Sequence, residues 1–158
     1  MVRTYGLFRN CMEPYFTSFG VSGAQWGVLR TLHRAEDEGR SGLRLTDLGR
    51  RLLVRPPSVT TLIDRLERAG LVTRSTIAAD LRARQVMLTP EGRQLVERIL
   101  QQHPAQMQSV MAGLNEAEQK LLHRLLERLA EHLESLEPAR QSSRGKSNSI
   151  SSGEIVEE

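Results

Sequence analysis

Cysteine is nearly absent from this 158-residue chain, which holds only Cys11. A single thiol excludes an intramolecular disulfide and a four-cysteine zinc site. The chain also lacks an apolar run long enough to cross a membrane, and its first residues do not form the basic-then-apolar pattern of a secretion signal. We therefore expect a soluble, cytoplasmic protein with no membrane partner.

The histidines and carboxylates offer no pattern typical of a metal site or a catalytic centre. No two histidines stand three or four residues apart, the spacing that places two rings on one side of a helix. The four are His33, His103, His123 and His132. No nucleophile–base pair, phosphate-binding glycine loop or carboxylate dyad is recognisable. The sequence predicts no metal, no other cofactor and no enzymatic activity.

Positive charge is concentrated in the middle of the chain, although the formal net charge is only +3. Residues 40–98 hold twelve arginines and six carboxylates, so the remainder is slightly acidic. A surplus of guanidinium groups attracts phosphate, and arginine also suits bidentate contacts to guanine. The alternative is an ordinary solvated face. Charge alone does not distinguish a phosphate-binding surface from a solvated face. The distinction depends on which secondary-structure elements carry the arginines.

Those elements begin with a helix–turn–helix pattern. Thr46 is predicted to cap a short helix, and Val54-Arg55-Pro56-Pro57 is predicted to be the turn, because the residue before a proline resists helix. A second helix is predicted over Ser58 to Ala69, with Gly70 ending it. Its buried face is predicted to hold Val59, Leu62, Ile63 and Leu66. The side chains left facing outward are Thr60, Thr61, Asp64, Arg65 and Arg68.

A β-hairpin follows this helix directly. Two short β-like runs, Leu71 to Arg74 and Gln85 to Leu88, flank a tip that contains Asp80, Arg82 and Arg84. A hairpin of this size cannot form a core, but its arginines suit contact with a nucleic-acid backbone. Together with the helix–turn–helix, it predicts a winged helix.

Helices are predicted on the N-terminal side of this unit. Residues 3–18 are rich in aromatic and apolar side chains, and Pro14 should kink the helix that they form. Ser22 to Gln25 has the spacing of a capping box, and a helical apolar pattern follows from Trp26. A loop is predicted over residues 39–42.

On the C-terminal side, a helix is predicted to begin at Thr89 and to run until Pro104 bends or breaks it. Asn115 and Glu118 form a second capping-box signal. A stripe of leucines near heptad spacing follows, consisting of Leu122, Leu125, Leu126, Leu129, Leu133 and Leu136.

One chain of this size cannot bury both that stripe and the apolar N-terminal helix, so we expect a homodimer formed by both ends of the chain. The residues predicted at this interface are Leu7, Phe8, Leu122, Leu126, Leu129 and Leu133. The alternative is a stripe packed wholly within one chain.

The expected fold is mainly α-helical with a small β-wing: a winged helix–turn–helix domain over residues 1–137. Its DNA-binding lobe spans about 43–92, and its dimerisation helices about 3–19 and 93–137. Residues 138–158 are rich in serine, glycine and charge and are predicted to be a disordered tail.

Five motifs in this order resemble the MarR (multiple antibiotic resistance regulator) family of bacterial transcription factors, over roughly residues 5–136. They are Leu45-Thr46-Asp47-Leu48, the run from Ser58 to Glu67, Gly70-Leu71-Val72, Asp80-x-Arg82-x-Arg84 and Leu88-Thr89-Pro90-x-Gly92. The resemblance implies that the second helix of the helix–turn–helix enters a major groove while the wing reaches the neighbouring minor groove, where Arg82 matches the family's arginine.

The residues expected to contact DNA on this basis are Ser58, Thr60, Thr61, Arg65, Arg55, Arg74, Arg82 and Arg84. Asp80 and Asp64 are expected to pair with arginines and so to position the wing or the helix. Three residues depart from the family's pattern. Thr61 stands where many relatives have arginine, Gly49 replaces an alanine, and Pro104 interrupts a normally continuous helix.

The resemblance also implies a pocket for a small aromatic or anionic effector, with Tyr15, Phe16, Phe19 and Trp26 as its candidate lining. The same side chains are equally typical of a core, and for Trp26 a core position is favoured. Cys11 does not have the position of the cysteine in the family's organic-peroxide sensors, so an ordinary buried cysteine is expected.

These features predict a DNA-binding transcriptional regulator, a repressor that binds a pseudo-palindromic operator as a homodimer and is released by an effector. The alternative is a dimeric protein-interaction module whose DNA reading is degraded, as Thr61 and Gly49 would allow.

Overall fold

The structure is a computed structural model that describes residues 2–52, 56–77 and 80–136; at positions 56, 57, 76, 77 and 80–84 it describes the backbone alone. The chain divides into two compact units, Met1–Gly113 and Leu114–Glu158. The predicted tail at 138–158 lies outside the described residues. In chain order the elements are α1 (Val2–Thr17), α2 (Gly23–Asp37), β1 (Leu43–Arg44), α3 (Leu45–Leu52), α4 (Pro56–Arg68), β2 (Val72–Ile77), β3 (Asp80–Leu88), α5 (Pro90–Val110) and α6 (Glu116–Leu136).

The beginning of α2 confirms the predicted capping box. The Ser22 hydroxyl accepts a hydrogen bond from the Gln25 N–H at 3.2 Å, and the Gln25 side chain accepts one from the Ser22 N–H at 2.9 Å. These two bonds satisfy backbone donors that a helix start otherwise leaves without partners. Pro14 lies inside α1, which continues to Thr17.

The predicted cap at Thr46 is wrong, because α3 already begins at Leu45. The residues just before it form β1, a strand that no pattern in the sequence predicts. Leu43 pairs with Val86 of β3, and Arg44 pairs with Gln85. Two residues are too few to display the alternation by which strands are recognised, so only the pairing with β3 defines this strand.

The recognition helix, as we name α4, has the predicted buried face. Val59, Ile63 and Leu66 are fully buried and Leu62 is partly buried. Gly70 adopts φ +71°, and the Leu71 N–H donates to the Leu66 carbonyl at 2.9 Å. A left-handed residue after the last turn, with this hydrogen bond, is the predicted glycine stop. The helix starts at Pro56, two residues earlier than predicted, because proline needs no N–H partner in a first turn.

The three strands form one antiparallel sheet in the order β1-β3-β2. Val72 pairs with Leu88 and Arg74 with Val86, and the register shifts between Thr76 and Ile77. We call β2, β3 and their connection the wing. Because β3 is the central strand of the sheet, β2 is an edge strand. Both strands are longer than the sequence predicted.

The predicted helix start at Thr89 is confirmed, with Pro90 at the first helical position. Thr89 caps the helix, since its hydroxyl accepts from the Gly92 N–H at 3.0 Å. Of the two outcomes predicted for Pro104, the break is wrong, because α5 continues to Val110, and the bend stays a prediction. Met107 and Val110, beyond the proline, pack against the core. This packing compensates for the backbone hydrogen bond that proline cannot donate.

The core of the first unit draws apolar side chains from every element between α1 and α5. Its largest fully buried members are Leu29, Leu32, Leu48, Ile63, Leu66 and Ile99. The α2 helix supplies a whole face to it. The second unit contains α6, which begins at the predicted capping box of Asn115 and Glu118, with reciprocal bonds of 2.8 and 3.0 Å.

Candidate nucleic-acid interface

The outward side of the recognition helix carries small polar and basic side chains. Of the side chains predicted to face outward, Thr60, Thr61, Arg65 and Arg68 are exposed and Asp64 is half-buried. Ser58, near the start of the helix, is exposed as well. Thr61, Arg65 and Arg68 follow one another at intervals of four and three residues, so they form one stripe along the helix. The fully buried residues Val59, Ile63 and Leu66 fix the opposite face, which determines where this stripe points.

Arg74 of β2 lies between two carboxylates of the recognition helix. Its Nη2 is 2.5 Å from Asp64 Oδ1, and its Nη1 donates to Glu67 Oε2. The Arg74 N–H also donates to Glu67 Oε1 at 3.3 Å. These contacts, the bond to Asp64 first, raise the pKa of Arg74 above its ordinary value. Asp64 thus has an arginine partner, while the predicted DNA contact of Arg74 stays a prediction.

The other arginines predicted to contact DNA lie outside the described side chains. Arg55 precedes the first described residue of α4, and for Asp80, Arg82 and Arg84 only the backbone is described. The register opposes Arg84 to Thr76 and Asp80 to Ile77. The roles assigned to these four residues therefore stay predictions.

The base of the wing is fixed where its two strands begin and end. The Thr89 N–H donates to the Leu71 carbonyl at 3.1 Å, and the Thr89 hydroxyl donates to the Gly70 carbonyl at 2.7 Å. A Cβ built on Gly92 would lie 2.1 Å from the Leu71 oxygen, so glycine is what permits this close approach. The start of α5 is thereby held against the end of the recognition helix.

The four candidate pocket residues form an aromatic cluster with one histidine. Phe16 and Trp26 are buried and stacked with ring centroids 5.6 Å apart, and Tyr15 meets Phe16 and Phe19 edge-on. The Tyr15 hydroxyl donates to the Ile99 carbonyl of α5 at 2.7 Å. The preference for Trp26 as a core residue is confirmed. A role for these rings in binding an effector stays a prediction.

His103 joins this cluster, a position that no pattern in the sequence indicates. Its ring lies 5.9–6.2 Å from those of Tyr15, Phe16 and Trp26. Its Nδ1 is buried without a hydrogen-bond partner among the described atoms. Burial, and then the charge of Arg30, lower the pKa of His103 below its ordinary value.

Two ion pairs that no local pattern predicts join the end of α2 to other helices. Arg93 of α5 donates from Nε and Nη2 to Glu36 at 2.8 and 2.9 Å. Arg51 of α3 donates to both oxygens of Glu38 at 3.2 and 2.7 Å. Both pairs have the bidentate geometry that gives arginine–carboxylate contacts a defined orientation.

The predicted interface residues are largely uncovered in the described chain. On α6, Leu126, Leu129 and Leu133 are 50%, 38% and 51% exposed, and Leu122 is partly buried. On α1, Leu7 and Phe8 are exposed. The dimer interface and the alternative, a stripe packed wholly within one chain, both stay predictions.

The prediction of a buried cysteine is wrong, because Cys11 is exposed. Met12 and Phe16 occupy the side of α1 that faces the core. Cys11 directly precedes Met12, and the helical turn between neighbouring residues points its side chain away from that side. Among the residues that the structure describes, no helix is long and apolar enough to span a membrane. The same residues contain no group of three side chains suited to a metal ion.

Comparison with known proteins identifies relatives of this arrangement. The model of the MarR family matches residues 19–83. The HTH-type transcriptional repressor YetL of Bacillus subtilis is 32% identical over 122 residues, which cover 77% of this chain and 71% of that protein.

Solved structures of similar proteins have the same fold as this chain. Bordetella bronchiseptica BpsR, described as regulated in its DNA binding by 6-hydroxynicotinic acid, is 28% identical with a TM-score of 0.69, covering 81% of this chain and 88% of that one. A mutant MarR from E. coli complexed with operator DNA has a TM-score of 0.72 at 23% identity, covering 81% of this chain and 89% of that one, and shares the fold.

Proposed function

Because this chain belongs to the MarR family of DNA-binding transcriptional regulators, we propose that it is a repressor that binds a pseudo-palindromic operator as a homodimer. In this proposal the recognition helix enters the major groove and the wing reaches the neighbouring minor groove. The protein acts on double-stranded DNA in the cytoplasm. The observation that carries the proposal is the outward stripe of Thr61, Arg65 and Arg68 on a helix whose opposite face is fully buried.

The chemistry of the recognition helix supports this role. Ser58, Thr60 and Thr61 occupy its first turns, where short side chains and backbone N–H groups can approach bases and phosphates. Arg65 follows one turn later and can donate to guanine or to phosphate. Arg55, Arg82 and Arg84 would extend these contacts along the backbone and into the minor groove, where a narrow A·T-rich groove attracts cations.

The homodimer is supported by the uncovered apolar faces of α1 and α6. A helix with leucines at near-heptad spacing, half exposed to water, stabilises an assembly when an identical helix covers it. A two-fold axis would also present two recognition helices to successive major grooves, about 34 Å apart. The two-fold axis of the dimer interface would therefore coincide with the two-fold axis of the palindromic operator.

An effector is supported by the regulation described for BpsR and, within the aromatic cluster, by Tyr15 and Phe19, which are partly exposed, whereas Phe16 and Trp26 are core residues. A small aromatic or anionic molecule would act by binding more tightly to the form that does not fit the operator. Its identity would follow from screening aromatic acids for release of bound DNA.

The interaction module with degraded DNA reading receives less support. Gly49 is one of the two residues on which this alternative rests. The structure places Gly49 among the buried residues of α3, a packing position rather than one that faces a ligand.

The decisive experiment is selection from random-sequence duplexes with the purified chain, followed by titration of the enriched duplex at several salt concentrations. We expect an inverted repeat to be enriched and the logarithm of the affinity to fall steeply with the logarithm of salt. Arg65→Ala should weaken binding, whereas Arg128→Ala on α6 serves as a charge-matched control. Failure to enrich any sequence, or an affinity that salt does not change, would refute the proposal.

A further inference from the structure

The wing and the recognition helix are joined through a single guanidinium group. We propose that Arg74 is a positioning residue: it ties β2 to α4 through Asp64 and Glu67 and so sets the angle at which the wing leaves the helix, without contacting DNA itself. This inference rests on the proposed function, since it assigns how the two DNA-reading elements are held in register.

The first support is the geometry of the tie. The Arg74 guanidinium binds Asp64 through one nitrogen and Glu67 through another, so both ends of its planar fork are engaged. Its side chain is only 20% exposed, against 42% for Asp64 and 38% for Glu67. A fork held at two points fixes direction as well as distance, which one point charge cannot do.

The second support is the position of Arg74 on an edge strand. Within the described part of the chain, the outer edge of β2 has no neighbouring strand, so its outward N–H groups need other partners. Glu67 accepts the N–H of Arg74 as well as its guanidinium. The same carboxylate thus holds both the main chain and the side chain of the strand against the recognition helix.

The third support is the distribution of charge along the helix. Thr60, Asp64 and Glu67 form a stripe at intervals of four and three residues, beside the parallel stripe of Thr61, Arg65 and Arg68. Arg74 with its two carboxylates carries a net charge of −1, so this group does not attract phosphate. Freeing Arg74 for a phosphate would expose two carboxylates beside the DNA-reading stripe.

A tie and a DNA contact predict opposite results when the carboxylates are removed. If Arg74 contacts phosphate, Asp64→Asn with Glu67→Gln frees the guanidinium and removes repulsion, so DNA should bind more tightly. If Arg74 is a tie, the same double variant should weaken binding to the selected duplex, although it makes the surface more positive.

The test compares Arg74→Gln, the double variant Asp64→Asn/Glu67→Gln and the triple variant on the duplex obtained by selection, with fold verified by circular dichroism. If Arg74 is a tie, Arg74→Gln and the double variant should each weaken DNA binding about tenfold. The triple variant should also weaken it about tenfold rather than a hundredfold, because the same interaction is removed in all three variants. Arg74→Lys should recover only part of the loss, since an ammonium lacks the fork.

Salt dependence supplies the matched control. Arg65→Gln, on the proposed DNA-reading stripe, should lower the slope of affinity against salt by about 0.9 for each phosphate that the side chain no longer neutralises, whereas Arg74→Gln should leave the slope unchanged. A lowered slope for Arg74→Gln, tighter binding by the double variant or a hundredfold loss in the triple variant would overturn the proposal.

Amide hydrogen exchange without DNA separates this inference from the proposed function. Exchange across residues 72–77 should accelerate in Arg74→Gln and in the double variant and not in Arg65→Gln. Unchanged exchange in both would overturn the tie itself. Accelerated exchange in a protein that binds no duplex would overturn the proposed function and, with it, the role of Arg74 in reading DNA.

Discussion

Replacing Gly92 by alanine should disrupt the junction at which the wing meets α5. The added methyl carbon would lie 2.1 Å from the Leu71 carbonyl oxygen and 3.1 Å from its carbon, where real side-chain carbons do not approach closer than 3.0 Å. The nearest atom belongs to the backbone. That carbonyl cannot move aside without losing the 3.1 Å hydrogen bond from the Thr89 N–H.

The expected cost follows from three contributions. Forcing an extra carbon into a packed site costs about 1–3 kcal/mol, and a rigid backbone neighbour favours the upper value. Loss of the Thr89 hydrogen bond adds about 1 kcal/mol. The higher helix propensity of alanine returns up to about 1 kcal/mol. We therefore expect Gly92→Ala to lower the free energy of unfolding by about 3 kcal/mol, and the melting temperature by roughly 10 °C.

Urea denaturation at a fixed protein concentration, followed by the fluorescence of Trp26, measures this change, because the single tryptophan is buried in the same unit. Gly113→Ala is the matched control, since a Cβ there meets nothing within 4 Å, and it should alter stability by less than about 0.5 kcal/mol. A loss below about 1 kcal/mol for Gly92→Ala, with an unchanged m-value, would refute the reasoning.

Three further predictions concern the interface, the wing and pH. Leu129→Glu should dissociate the dimer in analytical ultracentrifugation because it places an unpaired charge in an apolar stripe. The control Arg128→Glu should leave the dimer intact. A Leu129→Glu variant that stays dimeric would exclude α6 from the interface. Arg82→Ala should weaken operator binding by about 1–3 kcal/mol with the fold intact, and an unchanged gel-shift titration would contradict the wing assignment. Burial lowers the pKa of His103, so the unfolded chain gains a proton first as pH falls below the ordinary value of 6.5, and stability is lost below that pH. When the free energy of unfolding is measured in urea at several pH values, His103→Phe should not show that part of the loss. Parallel curves of free energy against pH for the variant and the original chain would contradict this prediction.

Features set by a few neighbouring residues were predicted well. The capping boxes at Ser22 and Asn115, the proline start after Thr89 and the glycine stop at Gly70 each depend on bonds within about five residues. The buried face of the recognition helix likewise follows from helical spacing alone. Local chemistry and periodicity therefore located the elements that position the candidate interface.

Features that join distant parts of the chain escaped prediction. Glu36 meets Arg93 across 57 positions, and the Tyr15 hydroxyl reaches Ile99 across 84. Any of several carboxylates could have paired with Arg74, and only the fold selects Asp64 and Glu67. The outward rotation of Cys11 also depends on which side of α1 the core covers. These outcomes require the tertiary arrangement, which periodicity does not determine.

The central position of β3 has a consequence for biosynthesis. Leu43 and Val72 both find their strand partners, Val86 and Leu88, only in this last strand. During synthesis the sheet cannot close until residue 88 has left the ribosome, so the part of the core that contains Val72, Val86 and Leu88 is completed only then. A message truncated before that point would yield a fragment without a stable sheet, and such fragments would be substrates for proteases rather than partial competitors of the intact protein.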